Sequence, residues 1–88
     1  MAEPYRKTST GSFTCPSSGV IEVIVLDAAS QNSKMTLYEG IDVSGREIFN
    51  LATIAWDSKI APNLSIPYSG GLYVSISGTG AGVSVTVR

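Results

Sequence analysis

Side chains able to do chemistry are few in this chain and widely spaced. Its 88 residues include no histidine, one cysteine, six Lys or Arg and seven Asp or Glu. Without histidine, the commonest general base and zinc ligand is missing. Cys15 therefore has no imidazole to activate it as a nucleophile. Serines are abundant, but none sits in the G-x-S-x-G elbow that exposes a hydrolase nucleophile. Lys7, Lys34 and Lys59 are the lysines that could activate one. Asp27, Glu39, Asp42, Glu47 and Asp57 fall at or near turn signals. Two of them together could bind calcium or act as acid and base, yet their spacing matches no EF-hand loop. Solvated turn carboxylates account for them. No catalytic, metal-binding or cofactor-binding residue is assigned, no cofactor is expected, and the expectation is a chain that is not an enzyme.

The glycine-rich stretch "SGTGAG" (77–82) invites comparison with a phosphate-binding loop. Such a loop must open into a helix, whose N-terminal N–H groups meet the anion. Here it opens into Val-Ser-Val-Thr-Val, a strand pattern. It reads as a hairpin turn in which Gly78 or Gly80 takes a positive φ. Trp56, the only tryptophan, lies in the irregular stretch 53–63. It either lids one end of the core or stands exposed as an interface anchor or sugar-stacking platform. Tyr38, Tyr68 and Tyr73 sit at strand-edge or polar-face positions, where an aromatic ring packs on a neighbouring strand or chain.

The elements that must position these residues are strands. At 88 residues the chain forms one domain, burying only about 60–65% of its unfolded surface. One cysteine excludes an internal disulfide, which leaves oligomerisation as the means of added stability. The charged fraction, 15%, is well below the usual quarter, and Ser, Thr and Gly take its place, as in turn-rich β-proteins. A net charge of −1 provides no basic field for nucleic acid. The N-terminus lacks an apolar signal core, and no apolar run is long enough to span a membrane as a helix. Synthesis in a cytoplasm is expected, with no nucleic-acid or membrane partner.

Residues 1–11 read as a polar arm, either mobile or seated on a partner through Tyr5, Arg6 and Lys7. Residues 12–88 read as the folded domain. Its strongest strand signal is "GVIEVIVLDA" (19–28). Simple alternation puts Ile21, Val23 and Val25 on one face and Val20, Ile24 and Leu26 on the other, so both faces are apolar. Either the strand is covered on both sides or one face meets another chain. Further strands are expected at 12–15, 35–40, 46–52, 64–69, 71–77 and 82–88. The segment 46–52 is read as a strand because its helical spacing is weak and it lacks a cap. The last two strands form one wall of the core, with Leu72, Val74, Ile76, Val83, Val85 and Val87 inward. Because the chain closes on that wall, any free arm is expected at the other end. About seven short strands with regular turn signals define an all-β fold, a small antiparallel β-sandwich or jelly-roll-like barrel.

Two stretches, "MTLYEGIDVSGREIFNLA" (35–52) and "GLYVSISGTGAGVSVTVR" (71–88), resemble a recurring pattern of small tailed-phage virion proteins. The matching residues are Leu37-Tyr38-Glu39-Gly40, Gly71-Leu72-Tyr73-Val74, Gly78-Thr79-Gly80 and the closing strand 83–88. The resemblance covers about residues 19–88 and omits the arm. It implies a β-sandwich without a catalytic site: a capsid decoration or cement protein on the virion exterior. The implied partner is the major capsid protein lattice, with a homo-oligomer in which a trimer is favoured over a dimer. Tyr5, Arg6, Lys7 and Trp56 are the expected lattice contacts. The alternative is a carbohydrate- or receptor-binding module of a phage tail or fibre, using Tyr38, Tyr73 or Trp56.

Overall fold

The computed structural model describes residues 3–88. Nine strands form: β1 (Glu3–Lys7), β2 (Gly11–Ser12), β3 (Ser18–Asp27), β4 (Ser33–Glu39), β5 (Arg46–Thr53), β6 (Ser58–Ala61), β7 (Ile66–Ser69), β8 (Leu72–Ser77) and β9 (Gly82–Val87). They pair antiparallel in two sheets. The first runs β1-β9-β3-β6, with β7 also on β3; the second runs β2-β8-β4-β5. β6 pairs with residues 24–27 of β3 and β7 with residues 18–21, so the two are halves of one broken edge strand. The chain changes sheets at every connection except β4–β5 and the β6–β7 break. This is jelly-roll connectivity folded as a two-layer sandwich.

The core lies between the sheets. Ile21, Ile24 and Leu26 of β3 and Val83, Val85 and Val87 of β9 face Met35 and Leu37 of β4 and Leu72 and Val74 of β8. Burying each such side chain contributes about 1.5–3 kcal/mol. Phe13 and Tyr68 extend the same cluster. Tyr68 thus sits on the edge strand β7, as expected, but points into the core rather than onto a polar face. Its hydroxyl donates to the Pro16 carbonyl (2.8 Å), and burial, together with the nearby Cys15 thiol, pushes the phenol pKa up.

Four features differ from the sequence reading. First, β3 does not alternate throughout. A bulge at Glu22 places Ile21 opposite Val87 and Val23 opposite Thr86. The extra residue reverses the phase, so Ile21 turns inward together with Ile24 and Leu26. Val20, Val23 and Val25 share the outward face. Second, β8 and β9 belong to opposite sheets. The stretch "SGTGAG" arches between the layers instead of closing a hairpin, and its flanking valines and leucines face one another across the core. The turn chemistry is as expected, since Gly78 and Gly80 both have positive φ (102° and 81°). A Cβ on Gly78 would also lie 2.7 Å from the Asn32 carbonyl.

Third, residues 3–7 of the polar arm are strand β1, docked on β9 in register from Glu3 with Val87 to Lys7 with Val83. Its polar sequence fits an edge strand with one solvated face, and Pro4 is tolerated at an edge. Met1 and Ala2 lie outside the described residues. Fourth, β6 forms inside the stretch read as irregular. With β1 it raises the strand count above the expected seven.

Candidate functional site

The six candidate contact residues do not converge. Tyr5 lies half-buried against the core, and its hydroxyl donates to Glu3 Oε2 (3.0 Å), which raises the phenol pKa. Arg6 points outward and binds Asp27 Oδ2 and Ser84 Oγ, both at 3.0 Å. Lys7 is half-buried, with its ammonium beside Gly11. Tyr38 and Tyr73 are register partners on the outward face of the second sheet, with ring centroids 6.3 Å apart and planes tilted by 55°. Trp56 stands alone at one end of the sandwich.

Trp56 is not a lid on the core. It is 78% exposed and adopts φ of 60°, the left-handed region. That conformation costs a non-glycine residue about 1–3 kcal/mol. Surrounding bonds impose it. The Trp56 amide donates to Ala29 O (2.7 Å), the Ala28 amide to Asp57 O (2.9 Å) and the Ala55 amide to Asn32 Oδ1 (2.9 Å). The turn thus holds the largest apolar side chain of the protein out in solvent, beside Ile54, itself 65% exposed.

A cavity of about 630 Å³ opens at the same end. Lys34 of β4, Ala52 and Thr53 of β5, Asp57, Lys59 of β6 and Ser77 of β8 help to line it. These positions are scattered through the sequence and meet only because the jelly roll brings β4, β5 and β6 together at one edge. All three arginines have carboxylate partners: Arg6–Asp27 (3.0 Å), Arg46–Glu39 (3.2 Å) and Arg88–Glu22 (2.7 Å). Among the described residues Lys34 and Lys59 form no ion pair.

A second surface escaped the sequence reading in its detail. On the outward face of the first sheet, Val20, Val23 and Val25 of β3 form a half-buried strip. Pro67 stands opposite Val20 and Ile60 opposite Val25, both exposed. No described element crosses this face. The Arg6–Asp27 pair lies beyond Val25 at one end of the strip, and the Glu22–Arg88 pair sits between Val20 and Val23.

The turn carboxylates have structural partners. Glu39 Oε2 accepts the Ser69 amide (2.9 Å), and Oε1 accepts from Arg46. The bond thereby links β4 of one sheet to β7 of the other. The Ser69 bond chiefly, aided by the Arg46 charge, lowers the Glu39 pKa; bonds from the Ser44 hydroxyl and amide lower that of Asp42. A lowered carboxylate pKa adds stability that is present above the unfolded value and lost as pH falls through the folded one. Thermal melts across the acid range should therefore show the wild type losing stability below about pH 4. Glu39→Gln should start lower and have a flatter acid limb. Parallel acid limbs would contradict the role given to Glu39.

The fold and its surfaces define a small jelly-roll sandwich with a half-buried valine strip on one face, and with an exposed tryptophan and a cavity at one end. No protein family, characterised protein or solved structure matches this chain.

Proposed function

We propose that this chain is a non-catalytic structural protein of a phage particle. In this reading it is a capsid decoration protein that binds the major capsid protein lattice from the virion exterior and associates with copies of itself. The observation that carries the reading is the strip of Val20, Val23 and Val25, extended by Ile60 and Pro67. The sequence left two options for a strand apolar on both faces, and the outward face has no cover within the described chain. Apolar side chains set among ion pairs on an uncovered sheet face suit a protein interface that is part apolar and part polar. Repeated attachment across a lattice would add avidity to modest single contacts. The test is co-sedimentation with expanded heads of the tailed phage that encodes the chain. Saturable binding is expected, and no binding would sink the proposal.

A second reading is a carbohydrate- or receptor-binding module of a tail or fibre. Trp56, held outward in a strained conformation, specifically favours it. Strain kept in place by several hydrogen bonds is typical of functional positions.

A further inference from the structure

We infer that the cavity beside Trp56 binds a saccharide carrying a carboxylate group. The inference rests on the second reading and not on lattice docking. Lys59 is adjacent to Ile60 on β6, and alternation sends the two to opposite faces, so cavity and strip are separate surfaces.

The chemistry of the lining selects the ligand. At about 630 Å³ the cavity falls within the roughly 300–1,000 Å³ usual for small-molecule sites. Two lysines are among its lining residues, Lys34 from the second sheet and Lys59 from the first, and neither is in an ion pair among the described residues. A carboxylate bound in the cavity and reached by either flexible lysine would gain a charge-assisted hydrogen bond. The other polar groups suit hydroxyls. Asn32 uses Oδ1 on the Ala55 amide, which leaves its NH2 to donate. Asp57 uses Oδ1 on the Ser58 amide, which leaves Oδ2 to accept. Ser77 adds a hydroxyl that can do either, and Ile54 offers an apolar wall to a sugar face. Trp56 does not line the cavity, but it lies in the chain between Ile54 and Asp57, which do, so its ring is a reporter close to the site. An inorganic anion would leave Asn32 and Asp57 without a role.

Trp56 is the only tryptophan, so its fluorescence reports on this end of the molecule alone. The experiment titrates the full chain with glucuronic acid and sialyllactose, with glucose and lactose as neutral controls and sodium phosphate as the anion control. Amide chemical shifts are recorded in parallel. The acidic sugars are expected to shift Trp56 emission and the amides of residues 32–34 and 52–59, with the neutral sugars and phosphate at least about tenfold weaker. Lys34→Gln with Lys59→Gln, both exposed positions, should remove the acidic preference while the far-UV spectrum is unchanged. Equal binding of neutral and acidic sugars would overturn the inference and leave the second reading standing. Phosphate binding as well as the acidic sugars would overturn the inference too, by showing a simple anion site. No response to any sugar would overturn the inference together with the carbohydrate arm of the second reading.

Discussion

Removing residues 85–88 is expected to abolish cooperative unfolding. β9 is not a terminal ornament, because it lies between β1 and β3 in the first sheet. The deletion takes away Val85 and Val87, both buried, and the pairing of Glu3–Tyr5 and Ile21–Ile24 with them. It also removes the reciprocal Val20–Arg88 backbone bonds, each 2.9 Å, and the Glu22–Arg88 ion pair. Two buried valines alone contribute about 1.5–3 kcal/mol each. A domain of this length is stable by only about 4–13 kcal/mol in total. Exposed partners and orphaned backbone groups should consume the remainder. Circular dichroism on heating should show a shallow, non-cooperative change. A sharp melt close to that of the intact chain would contradict the placement of β9.

The second large effect tests the bulge. Ile24 is fully buried between the sheets, so Ile24→Ala should cost about 2–5 kcal/mol. Val23, the next residue, faces outward, and Val23→Ala should cost about 1 kcal/mol or less. A strand without the Glu22 bulge could instead have carried Val23 inward with Ile21. Denaturant unfolding of the two variants separates the cases, and a cost at Val23 equal to that at Ile24 would contradict the register.

These two sites also show what was legible in the sequence and what was not. The all-β class and most strand positions follow from period-2 patterns and turn residues. Reading "SGTGAG" as a turn required only that a strand follow it. That the turn spans two sheets was not legible, because "LYVSIS" and "VSVTV" look the same whether they pair with each other or face each other. The bulge escaped for a related reason: Glu22 among β-branched residues gives no local sign of being unpaired. β1 was hidden because an edge strand needs little apolar character. Trp56 could not be assigned to lid or surface, since the hydrogen bonds that hold it outward come from residues 28–32, distant in sequence. The cavity is not legible for the same reason, since nothing in the sequence shows that Lys34 and Lys59 line one site.

The central claim is that the outward strip of β3 is where the partner binds. The most direct test is the double variant Val23→Lys with Val25→Lys, compared with wild type for binding to expanded phage heads and for solution mass by light scattering. Both positions face away from the core, so the variant should keep the wild-type spectrum and melt within about 5 °C of it. It should lose head binding and self-association together. A folded double variant that binds heads and self-associates as wild type does would contradict the claim.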